Sequence, residues 1–195
     1  MKRIIYFLSV VFLLVSCTEN SKNTTLEEKG RAQSALLLSF QKADSLRQTG
    51  AMNIELYKRF IDQAVAFYEE YPEESITPEM LQNAGVSSMT VAKFIKEFNA
   101  EDESGIVEYA KKGIEIFDLI QKVYPDYEGA KKAYLNRGII YDDILGDYKN
   151  AEYEYMEYIT KYPHDSISVN LRYYIQYLGK TPEEIIAEFG IDPAG

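Results

Sequence analysis

Three Tyr-Pro pairs divide most of this 195-residue chain into segments whose apolar residues recur at helical spacing. The pairs are Tyr71-Pro72, Tyr124-Pro125 and Tyr162-Pro163. Proline cannot continue an α-helix and disfavours helical backbone at the residue before it, so each pair predicts the end of a helix. Before the last pair, one helical face carries Ala151, Tyr155, Tyr158 and Tyr162, at positions i, i+4, i+7 and i+11. The pattern predicts an all-α fold.

The clearest helix–turn–helix pattern runs from Ala133 to Asp165. Gly138 and Ala151 are small, which predicts that the two helices of this pair cross closely at these positions. Three aromatic residues are expected to fill the space beside the crossing: Tyr134, Tyr141 and Tyr155. Gly146 marks the turn. One residue is inserted before Gly146, and we expect it to lengthen the first helix or its turn.

A weaker copy of the pattern lies upstream. In the first helix, three positions correspond at an offset of 53: Leu81, Asn83 and Gly85 match Tyr134, Asn136 and Gly138. In the second helix the offset is 38: Gly113, Phe117 and Pro125 match Ala151, Tyr155 and Pro163. The difference of 15 residues predicts extra length between the helices, with a long turn at 99–105. Ser88 replaces the aromatic Tyr141, which predicts looser packing.

The flanking segments also predict helices. Between Asn53 and Pro72 only part of the pattern is present, because bulky Phe60 stands at the position that corresponds to the small residues Gly113 and Ala151. Residues 25–50 predict a helix whose packing partner stays open. After Asp165, a helix is expected to run to Leu178 and to end at Gly179. A capping box at 181–184 then predicts a final helix that reaches Phe189 and covers the end of the stack, which gives about seven or eight helices.

Segment 133–165 resembles the tetratricopeptide repeat (TPR). The resemblance is carried by residues of both helices and the turn: Tyr134, Asn136, Gly138, Tyr141, Gly146-Asp147-Tyr148, Ala151, Tyr155 and Pro163. The stretch 53–189 is similar to short TPR outer-membrane lipoproteins of Gram-negative bacteria, with a distant architectural likeness to the TPR lipoprotein of β-barrel assembly. This resemblance implies an antiparallel helix-hairpin solenoid. It also implies a concave groove that holds peptides or partner proteins on the first helix of each pair.

Carried over position by position, the resemblance predicts these groove residues: Gln82, Val86, Met89, Lys132, Leu135, Ile139, Asp142, Ile167, Asn170 and Tyr174. Some TPR proteins bind the C-terminal carboxylate of a partner through lysine, asparagine and arginine side chains of these helices. Of the predicted groove residues only Lys132 and Asn170 have this chemistry, and Asp142 would repel a carboxylate. The groove is therefore expected to be mainly apolar and to take an extended or helical segment. Tyr109 and Tyr153 fall off the main apolar faces and are expected to be exposed.

The N-terminus has the layout of a secretory signal, with a basic start at 1–3 and an uncharged run at 4–15. This run is too short to span a bilayer as a helix. Leu14-Val15-Ser16-Cys17 resembles the bacterial lipobox, which implies a signal peptide at 1–16 and a lipid on the Cys17 sulfur. Residues 18–25 then read as a flexible tether, and 26–195 as the helical domain. An ordinary signal or a short uncleaved anchor is the alternative.

Composition excludes several classes of function. The chain has 21 basic and 31 acidic residues, and two of the basic residues, Lys2 and Arg3, lie in the predicted leader. The remaining chain has a formal charge of 21 − 2 − 31 = −12, which disfavours binding of nucleic acid. The lone His164 follows Pro163 at a predicted turn and is expected to be solvated. No spacing typical of a nucleophilic triad, a phosphate loop or a metal site occurs, so the sequence predicts no enzyme, no cofactor and no metal.

Together these features predict a non-catalytic TPR adaptor or scaffold, anchored to the outer membrane through lipid on Cys17, that binds another cell-envelope protein. The residue after the cysteine is Thr18 rather than aspartate. The resemblance to Gram-negative lipoproteins then implies transport to the outer membrane, and the periplasmic face and the cell surface both stay open. The alternative is a periplasmic chaperone or assembly factor for outer-membrane proteins. A binder of small glycans is a more distant alternative, since tyrosine platforms suit sugars.

Overall fold

A computed structural model of the protein describes residues 26–188, which form eight helices and contain no strand. The elements in chain order are α1 (26–48), α2 (Ile54–Glu70), α3 (Thr77–Phe98), α4 (Glu103–Val123), α5 (Ala130–Ile139) with a π-helical continuation (Ile140–Leu145), α6 (Tyr148–Lys161), α7 (Ser166–Tyr174) with a 3₁₀ continuation (Ile175–Tyr177), and α8 (Pro182–Glu188). The predicted leader 1–16, Cys17, the tether 18–25 and Phe189 lie outside the described residues. None of the described helices combines the length and the apolar content that crossing a membrane requires.

Helices that are consecutive in the chain pack against one another from α2 to α7. Short turns join them, so each helix runs back along its predecessor. Successive helices contribute side chains to the core between them, and fully buried examples are Ile61 of α2, Leu81 of α3 and Phe117 of α4. This arrangement confirms the predicted all-α helix-hairpin solenoid.

The three Tyr-Pro pairs end α2, α4 and α6, as predicted, at Tyr71, Tyr124 and Tyr162. The three turns share one hydrogen-bonding pattern. In each, the tyrosine carbonyl accepts the N–H of the residue three positions later, whose own carbonyl accepts the N–H three positions further on. The same local sequence therefore produces the same reversal of the chain three times.

The extra length of the second hairpin lies in its helices, so the prediction of a long turn at 99–105 was wrong. α3 has 22 residues and α4 has 21, whereas α6 has 14. The turn between α3 and α4 is confined to residues 99–102. Additional helical turns bury more apolar surface than a long loop would, and they leave no backbone groups without partners.

Ser88 does not loosen the α3–α4 pair, contrary to the expectation from its match to Tyr141. Ser88 is fully buried, and its hydroxyl donates to the Ala84 carbonyl at 3.0 Å. A Cβ built on Gly113 of α4 would lie 3.4 Å from Ser88 Cβ and 3.5 Å from the Gly85 carbonyl oxygen. Small residues on both helices therefore allow close contact in place of an aromatic filler.

Helix α1 packs on α2, which answers the question that the sequence left open for residues 25–50. Leu36 and Ala43 are buried in the core, and the rings of Phe40 and Phe60 lie 4.9 Å apart between centroids. Phe60, too bulky for the small position of the repeat, is thus accommodated by an aromatic contact with α1. Leu38 points away from the core and is 64% exposed.

The C-terminal helices follow the sequence prediction in their boundaries but not in their packing. The α7 segment ends before Gly179, whose φ of 76° is the left-handed conformation that favours glycine. The capping box is present: the Thr181 N–H donates to the Glu184 carboxylate at 2.8 Å, and the Glu184 N–H donates to the Thr181 hydroxyl at 3.2 Å. However, no side chain of α8 is fully buried, so its described residues do not close the end of the stack.

Candidate functional site

The first helix of the second hairpin, α3, presents Gln82, Val86 and Met89 on one face. The spacing of four and three residues places them on a single stripe of the helix. The opposite stripe, with Leu81, Ala84 and Ser88, is fully buried. Val86 is 36% exposed, and Gln82 and Met89 are half-buried. An apolar side chain at this exposure can contact a partner without being needed for the core.

The corresponding stripe of α5 and its π-helical continuation carries Lys132, Leu135, Ile139 and Asp142. Lys132 is exposed and the other three are half-buried. On the other side of the same helix, the core receives Ala133, Arg137, Ile140 and Ile144. The stripe therefore has an apolar centre with a cation at one end and a carboxylate at the other.

The inserted residue predicted before Gly146 is absorbed as the π-helical segment Ile140–Leu145. A π-helical turn bonds each N–H to the carbonyl five residues earlier, and so it holds one extra residue within a continuous helix. The insertion thus lengthens the helix rather than the turn. Gly146, with φ of 65°, ends it in the left-handed conformation. The Asp147 N–H then donates to the Tyr141 carbonyl at 2.8 Å, which completes a Schellman-type cap.

Lys96 of α3 supplies the rest of the cap. Its ammonium donates to the carbonyl oxygens of Asp143 at 2.6 Å and of Ile144 at 3.0 Å. Carbonyls in the last turn of a helix lack partners within the helix, and a cation at this end also interacts favourably with the helix dipole. A side chain of the second hairpin therefore stabilises the end of the first helix of the third.

The third stripe belongs to α7, where Ile167, Asn170 and Tyr174 are all exposed. The Tyr174 hydroxyl donates to the Asp142 carboxylate. The Tyr174 ring meets Tyr155 of α6 edge to face, with centroids 5.8 Å apart. Burial raises the pKa of Tyr155, and nearby Asp142 raises it further. Burial and the hydrogen bond to Asp142 likewise raise the pKa of Tyr174, so both phenols remain neutral donors.

Contacts between helices join the three stripes into one surface, which we call the groove face. Lys93 of α3 forms an ion pair with Asp143 at 2.8 Å, and Asp142 binds Tyr174 of α7. Gln82 and Lys132 line the same small cleft, between α3 and the start of α5. The structure therefore brings Gln82 and Lys132 together at one cleft, and Asp142 and Tyr174 together through a hydrogen bond. The other predicted residues lie on the same three stripes: Val86, Leu135, Ile139 and Asn170.

The two tyrosines expected to lie off the main faces behave differently. Tyr153 of α6 is 60% exposed, as expected. Tyr109 of α4 is half-buried against the core, so its predicted exposure was wrong. The Lys58 ammonium lies 5.4 Å from the centre of the Tyr109 ring, and burial raises the pKa of this tyrosine. Tyr109 therefore belongs to the packing between α2 and α4.

An apolar pocket at one end of the groove face was not predicted from the sequence. It is lined by Met52 from the α1–α2 connection and by Phe94 and Phe98 of α3, and it has a volume of about 340 Å³. Thr90 and Lys93 also line it, so it continues the α3 stripe. The available signal was a pair of phenylalanines at i and i+4 beyond Val86 and Thr90, a spacing at which two rings contact on a helix.

A buried ion network lies behind the groove face. Arg137 of α5 donates to Asp118 of α4 at 3.1 Å and to Glu154 of α6 at 2.7 Å. Arg137 is 8% exposed and Glu154 is 6% exposed. Burial raises the pKa of Glu154, although the guanidinium of Arg137 opposes the shift. The network links three consecutive helices and was missed because its members are far apart in sequence.

Within residues 26–188, no group of three or more His, Cys, Asp and Glu residues is arranged to hold a metal ion. His164 is exposed in the third Tyr-Pro turn, as expected. Comparisons of the chain with protein-family models, with curated proteins and with solved structures find no match.

Proposed function

We propose that this protein is a membrane-anchored, non-catalytic adaptor or scaffold of the TPR type that binds another cell-envelope protein through the groove face. The observation that carries the proposal is the continuity of this face across three helices. Half-exposed apolar side chains of α3 and α5 form its centre, and polar side chains of α5 and α7 border it. A surface of this kind suits an extended or helical segment of a partner.

The charges of the groove face support an apolar mode of binding. Asp143 is paired with Lys93, and Asp142 accepts a hydrogen bond from Tyr174. Both carboxylates therefore have partners before a ligand arrives. Binding then gains from burying apolar area, at about 25 cal/mol per Å², against the cost of ordering the partner segment. A free C-terminal carboxylate is a poor match, because Asp142 and Asp143 lie on the same face.

The anchor is proposed from the sequence alone, since Cys17 lies outside the described residues. Acyl chains on Cys17 would each contribute about 0.8 kcal/mol per buried methylene, which is enough for stable attachment when several chains are present. The acidic surface would be repelled by anionic headgroups, so the lipid rather than the protein surface would hold the domain at the membrane. Limited proteolysis of intact cells would decide between the periplasmic face and the cell surface.

Co-purification from gently solubilised membranes tests the adaptor, with the native protein compared to Cys17→Ala. A partner at fixed stoichiometry that is lost with the anchor is the expected result. Many weakly held envelope proteins would favour the alternative, a periplasmic chaperone or assembly factor for outer-membrane proteins. A folded monomer with no partner would contradict the proposal and would favour an enzyme or a glycan binder instead.

A matched pair of substitutions tests the groove face itself. Val86→Arg places a charge at its apolar centre, and Val107→Arg places the same charge on α4. The two valines are 36% and 38% exposed, so neither change should unfold the protein. We expect Val86→Arg to abolish partner retention and Val107→Arg to leave it intact. Equal retention by both variants would place the partner elsewhere.

A further inference from the structure

The pocket at the end of the groove face has an aromatic wall that the core does not need. Phe98 is 67% exposed, and its ring lies 4.7 Å from that of Phe94 between centroids. Met52 closes the other side. Single exposed aromatics are common, but two contacting rings beside a methionine form a contiguous apolar patch with a cavity. A volume of about 340 Å³ is at the lower end of the range for ligand pockets and fits one large side chain of a partner.

The rim of this pocket is acidic. Glu97 lines it. Close by in the chain, Glu101 lies in the turn after Phe98 and Glu103 is the first residue of α4. All three are exposed, and within residues 26–188 none of them forms an ion pair or a side-chain hydrogen bond. The cation that lines the pocket, Lys93, is already paired with Asp143. Of the two charged residues that line the pocket, Glu97 is therefore the one without a partner in the described part of the chain.

We infer that this pocket, which we call the Phe98 pocket, binds a partner segment that carries one aromatic or large aliphatic side chain flanked by lysine or arginine. The apolar side chain enters between Met52 and the two phenylalanine rings, and the basic residues complement the glutamates of the rim. Anionic lipid or nucleic acid would be repelled by the same glutamates. This inference rests on the proposed function, because the pocket continues the groove face through Thr90 and Lys93.

A segment with the opposite charge, in which acidic residues flank the apolar side chain, does not fit. It would bring its carboxylates to three unpaired glutamates, and like charges placed together disfavour a complex. A neutral apolar segment would gain the anchor contact alone. The pocket therefore discriminates by charge as well as by shape, and both contributions can be measured separately.

The test uses the full-length protein and a set of fluorescent peptides, acetylated and amidated so that the termini carry no charge. The first peptide has Phe between two pairs of lysines. In the others, Phe is replaced by Ala, the lysines by glutamines, or the lysines by glutamates. For the native protein, we expect binding of the first peptide to be about tenfold tighter than that of the Ala peptide, as for a central anchor residue. The glutamate peptide should not bind, and added salt should weaken the lysine peptide selectively.

Two variants with matched controls localise the binding. Phe98→Ala should erase the preference for Phe over Ala, whereas Tyr153→Ala, which removes a similarly exposed ring of α6, should not. Glu97→Gln combined with Glu101→Gln and Glu103→Gln should erase the preference for lysine over glutamine. Glu152→Gln with Glu157→Gln, on the exposed side of α6, should preserve it. Equal binding of the four peptides, or loss of binding only in the α6 controls, would overturn the inference.

Failure of this inference can be distinguished from failure of the proposed function. If Val86→Arg prevents partner retention but Phe98→Ala changes neither retention nor peptide preference, the groove face binds and the Phe98 pocket does not. If Phe98→Ala removes the peptide preference while Val86→Arg leaves retention intact, the pocket binds but the groove face is not the partner site.

Discussion

Tyr155 occupies the space that a side chain at position 138 would need. A Cβ atom built on Gly138 would lie 2.6 Å from Tyr155 Cδ1 and 2.8 Å from Cζ. In the preceding hairpin, Phe117 has the same relationship to Gly85, with 2.7 Å from the built Cβ to Cε1 and to Cζ. Both pairs therefore cross with an aromatic ring of the second helix against a glycine of the first. The predicted close crossing at Gly138 is confirmed.

Gly138→Ala should destabilise the protein by about 1–3 kcal/mol, because the new methyl group overlaps a ring that has little freedom to move. Tyr155 is 3% exposed and is backed by Tyr174. Urea unfolding followed by circular dichroism would measure the change. Gly30→Ala is the control: no atom lies within 4 Å of a Cβ at that position of α1, so helix propensity should stabilise it by about 0.5–1 kcal/mol. A Gly138→Ala protein as stable as the native one would contradict the crossing.

The three Tyr-Pro turns differ in one hydroxyl, which gives a second prediction. Thr77 donates its hydroxyl to the Tyr71 carbonyl at 2.8 Å, and Ser168 donates to the Tyr162 carbonyl at 2.6 Å. Ala130 stands at the equivalent place after Tyr124 and is 4% exposed. Because the backbone pattern is the same, Ala130→Ser should add the missing hydrogen bond and about 0.5–1.5 kcal/mol of stability.

The control for this prediction is Ala133→Ser in the interior of α5. Ala133 is 1% exposed and does not occupy the position six residues after a Tyr-Pro tyrosine, so a hydroxyl there is buried without that carbonyl. It should destabilise the protein. Thermal unfolding of both variants would show opposite shifts in Tm. A lower Tm for Ala130→Ser would mean that the middle turn lacks room for the hydroxyl.

The outcome of sequence reasoning depended on whether a feature is local. Tyr-Pro pairs, the capping box and the small–aromatic spacing are encoded by neighbouring residues, and their structures were predicted correctly. The distribution of 15 extra residues between helix and turn was not, because it depends on apolar surface that only the neighbouring helices α2 and α5 cover. Lys96 acts on residues about fifty positions away in the chain, and Phe98 is exposed because no distant residue within 26–188 covers it. The periodicity of a single sequence gives no information about either kind of long-range relationship.

Lys96 and Lys93 lie one helical turn apart and give a third prediction. Lys96 donates to two carbonyl oxygens at the end of the π-helical segment, whereas Lys93 pairs with Asp143 across the surface, with both side chains 47% exposed. Charge-assisted hydrogen bonds to otherwise unpartnered carbonyls are stronger than exposed ion pairs. Lys96→Met should therefore cost about 1–2 kcal/mol, and Lys93→Met about 0–1 kcal/mol.

Hydrogen exchange would locate the effect of Lys96→Met. Loss of the cap should increase exchange of the amides of 140–147 more than those of α2, because the end of the segment opens locally. If Lys93→Met increased the exchange there as much as Lys96→Met did, the surface ion pair rather than the cap would hold the segment.

The ion network of Asp118, Arg137 and Glu154 gives a prediction about pH. Burial raises the pKa of Glu154 above its ordinary value of 4.5, so the folded protein binds this proton more tightly than the unfolded chain does. The stability that protonated Glu154 contributes is then complete below about pH 4.5, and it is lost as the pH rises through the raised pKa. A tenfold difference in proton affinity between the folded and unfolded states corresponds to about 1.4 kcal/mol of stability.

Glu154→Gln removes this titration and keeps an oxygen that can accept from Arg137. Relative to Glu154→Gln, the native protein should lose stability as the pH rises above about 4.5 and through the raised pKa of Glu154, and the difference should be constant at higher pH, as measured by urea unfolding at each pH. Glu157→Gln is the control for removing a carboxylate from α6. Arg137→Met should be far more damaging, by about 3–5 kcal/mol at pH 7, because it leaves the buried carboxylate without a cation. A native protein that instead gains stability over Glu154→Gln as the pH rises would show that Arg137 outweighs burial at this site.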